Sequence, residues 1–156
     1  MKRIAIIIVG FLIGFIVFMP KKEIFFLLQR VLPQQNIQIT STPSQNPIKL
    51  TLFNTKIFYS NIKTASIKEI NIYPLLLINI IKAKNIKLDI GNIQIKTLNA
   101  YFTLYPKTFI KGDGNIGEFE GWISLKEAKI YIKNPSFQIK PLLKRDKKGY
   151  FYYEKF

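Results

Sequence analysis

The chain opens on an unbroken apolar run, Ile4 to Met19, with Met1-Lys2-Arg3 before it and Pro20-Lys21-Lys22 after it. As a helix, about 16 residues cover about 24 Å. That falls short of the roughly 30 Å hydrocarbon core of a bilayer, but flanking lysines can snorkel and a bilayer can thin. The run predicts an N-terminal transmembrane helix, an uncleaved signal anchor over residues 1–20. Its end, Phe18-Met19-Pro20, lacks the small residues of a signal-peptidase site. Lys2, Arg3, Lys21 and Lys22 are then expected at the membrane interface. The positive-inside rule tips the N-terminus slightly toward the cytoplasm. The expectation is a single-pass protein of the bacterial inner membrane with the bulk of the chain periplasmic. Gly10 and Gly14 have the spacing of a close helix–helix contact, a route to a homo-oligomer.

Beyond the anchor, residues 21–35 read as a short amphipathic helix. Ile24, Phe25, Leu28, Val31 and Leu32 fall at helical spacings before Pro33. Such a helix lies either along a membrane surface or as a cap on the following domain. The period then changes to two. Ile37 and Ile39 alternate with polar residues, as do Leu50 and Leu52, Ile70 and Ile72, Ile86 and Leu88, Phe119 and Gly121, and Ile130 and Ile132. This is the pattern of antiparallel sheet with one apolar face. Asn54-Thr55, Gly91-Asn92, Gly112-Asp113-Gly114 and Asn134-Pro135 supply turn signals. The solid apolar block Pro74 to Ile81 reads as a short helix or a doubly buried strand. Residues 36–156 are therefore expected to form a mainly β periplasmic domain of about eight or nine strands. The predicted fold is a curved antiparallel sheet, a half-barrel or groove, with one or two short helices. Ile86, Leu88, Ile90, Phe119, Ile123 and Leu125 are the candidate apolar groove.

Composition narrows the chemistry. The chain of 156 residues has 24 Lys and Arg against 9 Asp and Glu, a net charge of +15, and neither His nor Cys. Cysteine nucleophiles, disulfides, histidine bases and the usual zinc and haem ligand sets are excluded. A disordered basic tail is excluded too, because 48% of the residues are hydrophobic. The charge is open to two readings. One is the Ile, Lys and Asn excess that AT-rich coding produces. The other is attraction to anionic lipid, lipopolysaccharide or nucleic acid.

The chemical motifs do not hold up in context. Gly112-Asp113-Gly114-Asn115-Ile116-Gly117 matches G-x-G-x-x-G, but a strand-like Glu118-Phe119-Glu120-Gly121-Trp122 follows where a dinucleotide site needs a helix. A hairpin is the better reading. The same stretch fails as a calcium loop, with Phe119 at the glycine position and Ser124 at the glutamate position. Glu118 and Glu120 share one strand face and read as solvated. No catalytic, cofactor or metal residues are predicted, and the chain is not expected to be an enzyme. Lysines from Lys49 to Lys111, interleaved with Tyr59, Tyr101 and Tyr105, are spread over nearly every strand, which argues against a nucleic-acid stripe.

One anchor leads into a β-rich region that contains Ile67-Lys68-Glu69-Ile70-Asn71-Ile72-Tyr73-Pro74-Leu75-Leu76-Leu77 and then Lys84 to Ile90. A later Gly112-x-Gly114-x-x-Gly117-x-x-x-Gly121-x-Ile123-x-Leu125 opens another strand. Over roughly residues 1–140 this pattern resembles the type II secretion system protein N family and the related AsmA-like envelope proteins. The resemblance implies a curved sheet on an inner-membrane anchor, beside a secretion or pilus-like apparatus whose proteins would be its partners. Its AsmA-like side implies lipid or lipopolysaccharide binding in an apolar β-groove, with membrane lipid as partner. A nucleic-acid-binding component of a DNA-uptake apparatus is the remaining alternative. The resemblance implies no catalytic residues.

Overall fold

The computed structural model describes residues 2–75, 78–89, 91–103 and 106–156, with backbone alone for Lys2, Arg3 and Ala5. Helix α1 spans Lys2–Phe18 and α2 spans Lys21–Val31, and a 3₁₀ turn Leu32–Gln35 leads into the sheet. The strands are β1 (Ile37–Gln45), β2 (Leu50–Tyr59), β3 (Ile62–Pro74), β4 (Ile78–Leu88) and β5 (Ile93–Thr103). They continue as β6 (Lys107–Gly114), β7 (Gly117–Ser124), β8 (Glu127–Lys133), β9 (Lys144–Asp146) and β10 (Gly149–Lys155). All ten form one sheet in the order β1-β2-β3-β4-β5-β6-β7-β8-β10-β9. Every pairing is antiparallel, so each strand meets the next through a turn and only the last two exchange places.

Two expectations are overturned. Among the described residues no helix is long and apolar enough to cross a membrane. α1 has 17 residues, two of them Lys2 and Arg3, and at 1.5 Å per residue it reaches about 25 Å against a core of roughly 30 Å. The transmembrane helix, and with it the single-pass inner-membrane placement, is withdrawn. The half-barrel or groove is also replaced, by an open sheet whose end strands β1 and β9 stay unjoined.

The end of α1 has a local cause. Pro20 follows it, and the Lys21 ammonium turns back to donate to the carbonyl oxygens of Ile16 at 2.7 Å and Met19 at 3.4 Å. A cation on the last carbonyls of a helix offsets the negative end of its dipole. The same ammonium donates to the Pro47 carbonyl at 2.8 Å, tying α1 to the β1–β2 turn. Lys21 is only 4% exposed, and burial pushes its pKa below the usual 10.5. Next along, α2 sets Phe25 on Leu50 and Leu52, with Ile39, Ile70 and Ile72 around them. Burying that ring contributes about 2 kcal/mol. α2 thus packs on the sheet through Phe25, while Ile24, Phe26, Leu27, Leu28 and Val31 stay exposed.

The apolar face is continuous, but its spacing is not uniformly two. Ile67, Ala83 and Ile86 form one cluster, joined by Ile57, Ile70, Leu88, Ile95 and Leu98. Within it, Ile67 and Ile70, Ala83 and Ile86, and Ile95 and Leu98 lie three residues apart on their strands. Leu52 and Thr55 repeat the same step on β2, and both are buried. The step falls on one transverse row, Thr55 opposite Ile67, then Ile86, then Ile95. Asn54 and Asn85 beside that row take positive φ values of 51° and 53°, a conformation asparagine tolerates better than other side chains. Asn54-Thr55, expected as a turn, is therefore a kink inside β2. The block after Pro74 enters β4 at Ile78, while Leu76 and Leu77 lie outside the described residues. The G-x-G-x-x-G stretch is a hairpin, with Gly114 opposite Gly117 and Asn115-Ile116 between them.

At Gly121 an added Cβ would strike the Lys129 carbonyl oxygen and lie 2.7 Å from Ile130 Cα, whereas at Gly10 it would meet nothing within 4 Å. Gly121→Ala should cost about 1–3 kcal/mol in urea unfolding. Gly10→Ala should be neutral or stabilising by up to about 1 kcal/mol. Lys21→Met strands carbonyls that now hold a cation, and it should cost about 1–3 kcal/mol in the same measurement.

Candidate interaction surface

An open sheet has two edges, and unpaired strand edges invite other strands. The β1 edge is obstructed. The Ser60 amide donates to the Asn36 carbonyl, so in the antiparallel alternation the backbone groups of Ile37 and Ile39 face outward. Gln29 Nε2 of α2 occupies the outward Ile39 carbonyl at 2.7 Å. Past the bulge between Thr40 and Thr42, the Asn46 amide bonds to Lys49, which turns Pro43 outward. Proline has no N–H to offer there. The Lys22 amide donates to Gln45 Oε1 at 2.9 Å and holds α2 across this end.

The other edge is open over a short length. β9 pairs with β10 only from Lys144 opposite Phe151 to Asp146 opposite Gly149. Beyond Phe151, β10 continues alone on its outer side while pairing with β8 from Tyr150 to Lys155. The Phe156 amide donates to the Lys126 carbonyl at 2.8 Å. The alternation therefore points the backbone groups of Tyr153 and Lys155 away from β8, past the end of β9. Tyr152 and Tyr153 are 40% and 37% exposed.

The side chains around this edge are rigidified by charge and aromatic contact. Lys129 Nζ sits 5.0 Å from the Tyr131 ring, 4.7 Å from the Phe151 ring and 3.9 Å from Asp146 Oδ2. The Tyr131 hydroxyl donates to the same Asp146 oxygen at 3.2 Å. The Tyr131 contact raises Lys129 above its ordinary pKa against the opposing effect of desolvation, and the Tyr131, Asp146 and Tyr153 charges add smaller upward contributions. Lys140 at 5.4 Å and Arg145 at 5.5 Å both approach the Tyr150 ring. The Tyr153 hydroxyl donates to Glu127 and the Tyr152 hydroxyl to Glu154, each at 3.0 Å. A surface cavity of about 650 Å³ adjoins this end, lined by both signs of charge, among them Lys111, Glu118, Glu120, Lys133 and Lys148.

The sequence-predicted residues are not brought together. Ile86 and Leu88 belong to the central cluster, and Ile90 lies outside the described residues. Phe119, 7% exposed, lies three strands away, with its ring against Gly112 on the neighbouring strand. Ile123 is 37% exposed and Leu125, in the β7–β8 turn, is 92% exposed. The five described residues do not make one row. At Gly10 and Gly14 on α1, an added Cβ would meet nothing within 4 Å among the described residues. The side chains of Lys2 and Arg3 lie outside the described residues, and Lys21 is turned inward. Glu118 and Glu120 are exposed, with Glu120 3.9 Å from Lys111. Sequence reasoning passed over β10. Its one available signal is the run Tyr150-Phe151-Tyr152-Tyr153, which is β-prone but does not alternate. Comparison of the chain with models of known families, with curated proteins and with solved structures gives no match.

Hydrogen bonding to Glu127 and Glu154 raises the Tyr153 and Tyr152 hydroxyls above the ordinary 10.0, the neutral donor being favoured in the fold. The folded chain then holds more protons than the unfolded chain above pH 10. This contribution to stability is complete below that pH and is lost as pH rises through the folded pKa values. Tyrosine ring resonances followed against pH should show both residues titrating late. Glu127→Gln should return Tyr153 toward 10.0 and leave Tyr152 unmoved.

Proposed function

We propose that the chain is a non-enzymatic component of a larger assembly, and that it joins a partner by strand addition at the outer edge of β10. The observation that carries this reading is the asymmetry of the two edges. β1 is blocked by Gln29 and Pro43, whereas β10 offers the backbone groups of Tyr153 and Lys155 beyond the three residues of β9. Strand addition takes its affinity from main-chain hydrogen bonds and its specificity from alternate side chains. Exposed Tyr152 and Tyr153 flank the ladder, and aromatic residues of this kind favour interfaces. The type of assembly follows from the resemblance carried by Ile67 to Leu77 and Gly112 to Leu125. It is an envelope secretion or pilus-like apparatus, in which this chain supplies a docking sheet.

Photo-crosslinking in the cells that make the protein tests this. A crosslinking amino acid at Tyr153 should give a discrete adduct with another protein of such an apparatus, and one at Thr42 on the blocked edge should give none. An adduct at Thr42 alone, or none at either position, would overturn the reading.

A further inference from the structure

The kinked row through β2, β3 and β4 has a second face. Lys56 stands directly opposite Ser66, and Ser66 directly opposite Lys87, so these three share one line across three strands. Opposed residues in a sheet project to the same side. Ser66 alternates with Ile67 of the apolar cluster, which puts this line on the opposite, polar face. Lys68 lies two residues along β3 on that face, between Asn54 and Asn85. Together with Thr55 and Ile67, these six residues line a surface cavity of about 420 Å³.

The charge of this cavity is of one sign. No Asp or Glu lines it. Among the described residues none of the three lysines is in an ion pair. The acidic groups of the same strands are engaged elsewhere: Glu69 accepts from Asn71 at 2.6 Å, and Asp89 lies 3.3 Å from Lys63. Lys56 and Lys87 are separated by two strand spacings, about 10 Å. The small Ser66 between them leaves room for both flexible stems to converge. Like charges held this close repel one another, and an anion would relieve that repulsion. Lys56, Lys68 and Lys87 carry three ammonium groups, Ser66 one hydroxyl, and Asn54 and Asn85 two side-chain amides, while most of the exposed lining surface is apolar. The complementary ligand is acceptor-only and close to doubly charged, with three terminal oxygens.

We infer that Lys56, Lys68 and Lys87 form a binding site for a phosphate monoester group, presented either by a small soluble phosphate or by a lipid headgroup. The site lies on β2–β4 and does not depend on strand addition at β10.

The test uses the full chain at physiological salt. Inorganic phosphate should shift the amide resonances of Asn54, Ser66, Lys68 and Asn85 saturably, and chloride at equal ionic strength should not. Binding to phosphatidylcholine vesicles containing phosphatidic acid forms the second arm. The variant K56Q/K68Q/K87Q is compared with K84Q/K96Q/K126Q, which removes the same formal charge from exposed lysines outside the cavity. All six are surface positions, and far-UV circular dichroism checks that both variants stay folded. The first variant should lose at least about tenfold in affinity and the second less than about twofold, as direct charge-assisted contacts require and a diffuse field does not. Loss in the phosphate arm identifies a soluble ligand, and loss confined to vesicles identifies a headgroup. Equal loss in both variants, or no loss in either, would overturn the site.

Discussion

The antiparallel ladder between sequence neighbours is the interaction on which the rest of this protein rests. Nine pairings in a row make the sheet, and among the described residues no second sheet is laid against it. Side chains on the apolar face therefore find their shelter mainly beside one another. That is why register matters so much here. A slip of one residue would turn Ile67, Ala83 and Ile86 from their cluster to the opposite face. At the kink with Asn54 and Asn85 the face advances by three, and it does so on neighbouring strands together. An isolated change of spacing would break the apolar face, whereas a shared one bends it in step.

Lys21 performs a comparable task at the helical end. Its ammonium takes two carbonyls at the end of α1, Ile16 and Met19, and a third 26 residues on, Pro47 in the β1–β2 turn. Phe25, one helical turn later, then falls onto Leu50 and Leu52. A charge that a linear reading assigns to a lipid headgroup is in fact a bracket inside the fold.

The sequence disclosed what depends on short-range alternation. Ile70 with Ile72 and Ile130 with Ile132 announced strands, and Glu118-Phe119-Glu120 exposed the false dinucleotide motif. It hid whatever depends on pairing between strands. Asn54-Thr55 reads locally as a turn, and only its neighbours Lys68 and Asn85 make it a kink. The lysines at 56, 68 and 87 look like three of many until register sets two of them opposite Ser66. The run Tyr150 to Tyr153 has no alternation, so β10 escaped notice, and with it the free edge. For α1, hydrophobicity and length were both legible, but the inward turn of Lys21 was not, because its bond to Pro47 is a tertiary matter.

Because the strands follow almost strictly in chain order, the sheet is built mainly by joining each strand to its sequence neighbour, which keeps the loops to be closed short. The two ends of the sheet are unequal. α2 clamps β1, while β9 and β10 close the far end with a short, solvent-exposed hairpin. Opening should therefore begin at the C-terminal hairpin and run inward, with amide protection rising toward β3 and β4. The strands that present the free edge are thus also the ones able to peel back from the sheet and re-form around an incoming chain.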